Sequence, residues 1–119
     1  MKMFRAIILE DCVSDVEYFL ETTKSMKELE VTGYTYSPKD LIAALQNMER
    51  IDLVFIDIDT KEISGRVLAE WIKEKHSHIK IVFTSRYIKR FTKNVEVCDW
   101  MVFLSKPILL TDLQQYLSK

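Results

Sequence analysis

The 119-residue chain has little glycine or proline, two of each, and this shortage disfavours loop-rich, collagen-like and turn-dense all-β folds. Its longest apolar runs span four or five residues, too short to cross a bilayer or to form a signal peptide. The two cysteines, Cys12 and Cys98, lack CxxC spacing, so we expect reduced thiols in a cytoplasmic protein. A formal net charge of −1 leads us to expect neither direct nucleic-acid binding nor membrane binding.

The composition present is that of an ordinary globular protein, with 48% hydrophobic and 29% charged residues. A chain of this length can bury one core without disulfides or metal ions. No linker, repeat or shift in composition divides it. We therefore expect a single domain over residues 1–119, with no output domain in this chain.

Short apolar segments of strand type alternate with amphipathic helical segments along the whole chain. The predicted strands cover residues 4–9, 31–36, 53–56, 79–83 and 101–104, and five helices follow them, the fourth over 87–94 and the last over 110–117. Such alternation predicts right-handed βαβ crossovers and a doubly wound α/β fold, in which a parallel sheet is covered on both faces.

Two of the predicted helices carry start signals. Ser14 and Glu17 have the S-x-x-E spacing of a capping box, which predicts that the first helix starts at Ser14. Ser37 followed by Pro38 predicts a capped start for the second helix.

Polar side chains follow four of the predicted strands, at the sheet edge where ligands bind in such folds. They are Glu10 and Asp11 after the first strand, Asp57 and Asp59 after the third, Thr84 after the fourth, and Lys106 after the fifth. Crowded carboxylates repel one another unless a hard cation such as Mg²⁺ lies among them. A carboxylate nucleophile, a metal ion and a fixed ammonium group are what phosphoryl transfer needs.

These motifs resemble the receiver domain of two-component response regulators over essentially the whole chain. The matching elements are Glu10-Asp11, Asp57 in Leu-Val-Phe-Ile-Asp, Gly65, Thr84, and Lys106-Pro107. The resemblance implies a flavodoxin-like sheet with strand order 2-1-3-4-5. It also implies phosphorelay signalling, in which Asp57 becomes an aspartyl phosphate by accepting a phosphoryl group from a sensor histidine kinase or a phosphotransfer protein.

The resemblance further implies a role for each site residue. Asp11 would bind Mg²⁺ directly and Glu10 through water, together with Asp57 and the backbone carbonyl of Asp59. Thr84 and Lys106 would contact the phosphoryl oxygens. Thr84 and Phe103 would act as a switch that alters the surface of the fourth helix, fifth strand and fifth helix, where a partner or a second copy could bind. The chain would not be an enzyme, beyond promoting its own phosphorylation and dephosphorylation.

Several positions depart from the usual pattern of the family. Thr60-Lys61 stands where Met-Pro is common, Ser85 follows the key threonine, and Phe103 replaces the usual tyrosine. The stretch 86–107 is most similar to receivers that precede LytTR-type DNA-binding domains. Asp59 and Arg86, each two residues beyond a site residue, are expected to face each other across the pocket.

Two other functions remain open. The run 57–60, Asp-Ile-Asp-Thr, resembles the D-x-D signature of haloacid dehalogenase phosphatases, but Lys61 stands where that pattern wants Thr or Val. A pseudo-receiver would instead signal through binding alone, without phosphorylation.

Overall fold

The computed structural model describes residues 3–47, 50–58, 65–89 and 100–118. Its strands are β1 (Phe4–Leu9), β2 (Leu29–Thr35), β3 (Leu53–Asp57), β4 (Lys80–Ser85) and β5 (Val102–Ser105), and its helices are α1 (Val13–Thr23), α2 (Pro38–Asn47), α3 (Gly65–Lys75) and α4 (Leu110–Leu117). The predicted helix over 87–94 lies outside the described residues from position 90 onwards. No helix in the described ranges is long and apolar enough to span a membrane.

The five strands form one sheet in the order β2-β1-β3-β4-β5. Every neighbouring pair is parallel. This order confirms the predicted flavodoxin-like topology. It also brings the carboxyl ends of β1, β3 and β4 side by side.

The sheet is covered on both faces because its strands are apolar on both. One buried cluster combines alternate strand residues with residues of α2 and α3, including Ile7, Val54, Ile81, Leu41 and Leu68. The other combines the intervening strand residues with residues of α1 and α4, including Ile8, Phe55, Val82, Phe19 and Leu113. The doubly wound architecture is thus confirmed.

The two predicted helix starts have different outcomes. Ser37 accepts a hydrogen bond from the Asp40 amide at 3.2 Å, and Pro38 begins α2 as predicted. The capping box at Ser14 is wrong, because α1 begins at Val13 and Cys12 occupies the N-cap position without a side-chain cap. The Cys12 carbonyl accepts the first helical hydrogen bonds instead, from the amides of Asp15 and Val16.

Candidate functional site

Asp57 and Thr84 lie side by side at the carboxyl ends of the two middle strands. They are register partners between β3 and β4, and both side chains are buried. Residues two apart in a strand point to the same face of the sheet. Asp57 lies two residues after Phe55, and Thr84 two residues after Val82, so both point to the face that carries Phe55 and Val82. Among the described helices, α1 and α4 are the ones that cover this face.

Three carboxylates converge at this sheet edge. Glu10, Asp11 and Asp57 each offer an oxygen, and these atoms all lie within 4.8 Å of one another. Glu10 and Asp57 are buried, whereas Asp11 is exposed. Hard oxygen donors at this separation suit Mg²⁺, which keeps several of its waters and binds few protein ligands.

The Lys106 ammonium group lies among the carboxylates. It donates a hydrogen bond to Glu10 Oε1, and its Nζ lies 3.4 Å from Asp57 Oδ2. The Lys106 side chain is only 7% exposed, so its charge is poorly screened by water. Its backbone amide bonds to the Ser85 carbonyl at 3.0 Å, which ties the end of β5 to β4.

A fourth carboxylate, Asp15, reaches the site from the first turn of α1. Its Oδ2 lies 3.2 Å from Lys106 Nζ. Both of its oxygens also accept hydrogen bonds from the Arg86 guanidinium, at 2.7 and 2.9 Å. Asp15 thus joins the buried Lys106 to the half-exposed Arg86, which follows β4.

The ionisable groups strongly affect one another. Burial raises the pKa of Glu10 to about 7, and the neighbouring Asp57 adds to this increase, whereas Lys106 opposes it. Burial alone would lower the pKa of Lys106, but its contacts with Glu10, Asp57 and Asp15 outweigh burial and raise it. Hydrogen bonds from Arg86 lower the pKa of Asp15 to about 2, with Lys106 contributing. These shifts keep the Lys106 ammonium and the Asp15 carboxylate charged at neutral pH.

A cavity of about 210 Å³ opens beside these groups. Its polar wall consists of Glu10, Ser14, Asp15, Thr84, Arg86 and Lys106, and its apolar wall consists of Ile8, Tyr18, Phe19, Phe55, Pro107 and Ile108. A ligand in this cavity would therefore meet charged groups on one side and apolar surface on the other.

Gly65 begins α3 against the backbone that follows Asp57. A Cβ atom at this position would lie 3.3 Å from the Ile58 Cα. The lack of a side chain thus lets α3 approach the end of β3 closely, next to the candidate acceptor.

The structure brings together most of the residues predicted from sequence. Glu10, Asp11, Asp57, Thr84 and Lys106 meet at one sheet edge, whereas Asp59 lies outside the described residues, as do Thr60 and Lys61. Arg86, for which we expected Asp59 as a partner, pairs in the described structure with Asp15. Sequence reasoning missed Asp15. The sequence did contain one signal. Asp15 comes four residues after Asp11, which is about one helical turn, and the predicted first helix begins beside the site.

The whole chain is similar to response regulator receivers. The family model described as "Response regulator receiver domain" matches residues 7–118. The sensory transduction protein LytT of Bacillus cereus is 28% identical over 98% of this chain and 47% of its own length. The chain thus spans about half the length of this curated relative. The similarity to LytT fits the predicted likeness of stretch 86–107 to LytTR-associated receivers.

Solved structures share the fold. The RcsB response regulator of Salmonella typhimurium superposes with a TM-score of 0.79 at 18% identity, over 99% of this chain and 60% of that one. The receiver domain of AraT, a response regulator from Geobacillus stearothermophilus, gives a TM-score of 0.78 at 20% identity, covering 98% of this chain and 91% of that one.

Proposed function

Because this chain belongs to the family of response regulator receiver domains, we propose that Asp57 accepts a phosphoryl group from a sensor histidine kinase or a phosphotransfer protein. One observation carries this proposal. Asp57 ends a buried strand within 4.8 Å of the Glu10 and Asp11 oxygens, and the Lys106 ammonium lies 3.4 Å from its Oδ2. Asp57 is thus a candidate nucleophile that lies beside two candidate metal ligands, Glu10 and Asp11, and beside the positive charge of Lys106.

In the proposed reaction, an Asp57 carboxylate oxygen attacks the phosphorus of a phosphohistidine. A phosphorus–oxygen bond forms, and the phosphorus–nitrogen bond breaks as its electron pair returns to the imidazole, which takes up a proton. Lys106 would contact the phosphoryl oxygens and offset their charge. Thr84, the register partner of Asp57, would donate its hydroxyl hydrogen to one of them.

Glu10, Asp11 and Asp57 would hold Mg²⁺, Glu10 through a water molecule. The backbone carbonyl of Asp59, which lies outside the described residues, is the fourth ligand group that we propose. When bound, Mg²⁺ neutralises the crowded carboxylates and the charge of the phosphoryl oxygens. The carboxylates would hold the cation, and Lys106 would add a second positive charge to offset the phosphoryl oxygens.

The output would be a shift between two conformations of the same domain. A phosphoryl group on Asp57 would draw in the Thr84 hydroxyl, and the Phe103 ring would turn into the space that Thr84 leaves. The surface formed by the segment after β4, β5 and α4 would change with it. We propose that a target or a second copy of the chain binds that surface.

The acceptor is tested by phosphorylating the purified chain with acetyl phosphate and Mg²⁺ and measuring its intact mass. We expect one added phosphoryl group in wild type, the same in Asp40→Asn, and none in Asp57→Asn. Asp40 is a matched control because it is an exposed aspartate on α2. Phosphorylation of Asp57→Asn at the wild-type rate would refute the assignment of the acceptor.

The metal ligands are tested by titrating Mg²⁺ calorimetrically. We expect Asp11→Asn to weaken binding at least about tenfold, since affinity for a hard cation follows the number of carboxylate ligands. Asp11 is exposed, so the loss would not reflect unfolding. An affinity equal to that of wild type would remove Asp11 from the ligand set.

The two other functions predict different results in the same assays. A pseudo-receiver would leave wild type unphosphorylated by both acetyl phosphate and an active kinase. A phosphatase of the haloacid dehalogenase type would release phosphate from a small phosphomonoester over many turnovers.

A further inference from the structure

The Lys106 ammonium has three carboxylate partners in this structure, and two of them are candidate metal ligands. It contacts Glu10, Asp57 and Asp15. A divalent cation at the site would draw oxygens from Glu10 and Asp57 and would repel the ammonium group. Among the described residues, Asp15 is the contact of Lys106 that lies apart from the group formed by Glu10, Asp11 and Asp57.

The position of Asp15 is itself fixed. Arg86 holds both Asp15 oxygens in a bidentate pair, at 2.7 and 2.9 Å, a geometry with little freedom to rotate. The Asp15 side chain is 15% exposed. Its Oδ2 accepts from both Arg86 and Lys106. Lys106 thus has a charged and preoriented partner on the α1 side of the site.

We propose that Asp15 is a positioning residue that holds the Lys106 ammonium at the mouth of the site when Glu10 and Asp57 turn their oxygens towards Mg²⁺. This inference rests on the proposed function, because it takes Mg²⁺ as the ligand of that site. Without Asp15, the carboxylates left in contact with Lys106 in the described part of the chain would be Glu10 and Asp57, which the cation needs. The ammonium and the cation would then compete directly.

The inference predicts that Mg²⁺ affinity depends on Asp15 only through Lys106. Calorimetric titration of the whole chain should show a dissociation constant about three- to fivefold higher for Asp15→Asn than for wild type, the size expected for one partly exposed ion pair. In a Lys106→Met background, Asp15→Asn should change the constant by less than about twofold. The same fold-change in both backgrounds, or none in wild type, would overturn the inference.

Two controls separate positioning from simple loss of charge or of packing. Glu17→Gln removes an exposed carboxylate from the same helix and should leave the Mg²⁺ constant within about twofold of wild type. Asp15→Glu keeps the charge and should restore most of the affinity that Asp15→Asn loses. An Asp15→Glu constant as weak as that of Asp15→Asn would contradict positioning through the carboxylate.

Arg86→Met tests the inference without changing Asp15, should Asp15→Asn fail to fold. It removes the bidentate hold on Asp15 but leaves the carboxylate within reach of Lys106, so the dissociation constant should rise by less than it does for Asp15→Asn, or not at all. A loss as large as that expected for Asp15→Asn would mean that Asp15 acts through Arg86, and the inference would fail.

If wild type binds no Mg²⁺, the proposed function fails together with the inference. If wild type binds Mg²⁺ and is phosphorylated but the two backgrounds respond equally, only the inference fails.

Discussion

The Phe103 ring stacks on the Phe83 ring, with their centroids 5.4 Å apart and their planes inclined by 23°. The two residues are register partners in β5 and β4. Phe83 is fully buried, whereas Phe103 is half-buried at the edge of the cluster that α2 and α3 cover. The proposed switch residue is therefore already in contact with the core through Phe83, the residue that precedes Thr84 in β4.

This difference in burial predicts unequal losses when each ring is removed. Phe83→Ala should lower the free energy of unfolding by about 3–5 kcal/mol, because it leaves a cavity in the closed core. Phe103→Ala should cost about half as much, because water can reach the space it leaves. Urea denaturation of both variants measures the comparison. An equal or larger loss from Phe103→Ala would contradict the burial order.

The Asp15–Arg86 pair predicts a loss of stability in acid. The pKa of Asp15 is lowered from 3.8 to about 2 in the folded chain, so its stabilisation is present above about pH 4 and is lost as the pH falls towards 2. Because Arg86 is 52% exposed, we expect a contribution of about 1 kcal/mol, reduced by solvent screening.

Denaturation of wild type and Asp15→Asn at a series of pH values between about 3 and 5 measures this contribution. The gap in stability between them should narrow as the pH falls, while Asp40→Asn runs parallel to wild type. Glu10, whose pKa is raised to about 7, is present in both proteins, so its own pH dependence largely cancels from the gap between them. A gap that stays constant with pH would show that Asp15 contributes no charge-dependent stability.

Gly65 predicts a steric effect next to the acceptor. In Gly65→Ala, the new Cβ would lie 3.3 Å from the Ile58 Cα, a backbone atom, so α3 or the end of β3 must shift. We expect a loss of about 1 kcal/mol, which outweighs the better helix propensity of alanine, and slower phosphorylation.

Gly33→Ala is the matched control, because its nearest atom would be an Ile7 side-chain carbon at 3.9 Å, an ordinary contact. It should be neutral or slightly stabilising. Equal melting temperatures for the two variants would argue against the steric role of Gly65.

The serines near the starts of α1 and α2 predict different results for the same substitution. Ser37→Ala should destabilise the chain by about 1 kcal/mol, since Ser37 caps the Asp40 amide. Ser14→Ala should be nearly neutral, because Ser14 lies within α1 and its hydroxyl contacts the Cys12 sulfur. Thermal melting distinguishes the two. A larger loss of stability from Ser14→Ala than from Ser37→Ala would support the predicted capping box, which the structure contradicts.

The sheet and most of the site could be predicted because both depend on local pattern. Apolar runs fixed the strands, and the polar residues after them had to meet once the strands were parallel. Boundaries were less accurate where hydrogen bonding continues past the apolar run. β3 extends to Asp57 and β4 to Ser85, and the Ile58 amide still bonds to the Thr84 carbonyl.

The pairing of Asp15 could not be predicted in the same way. It depends on how far α1 lies over the sheet and on where that helix begins, and the predicted capping box placed the start at Ser14 rather than at Val13. From the sequence we expected Asp59 as the partner of Arg86. The three-dimensional arrangement pairs Arg86 with Asp15 instead among the described residues.

The hydrogen bond between Lys106 and Glu10 joins residues that are 96 positions apart. Closing so long a loop costs conformational entropy, so the contact depends on the sheet and the helices that hold its two residues together. During synthesis the acidic residues that follow β1 emerge long before the lysine that neutralises them. The charge balance at Asp57 is therefore a property of the finished fold, and a nascent chain cannot present a complete acceptor to a kinase.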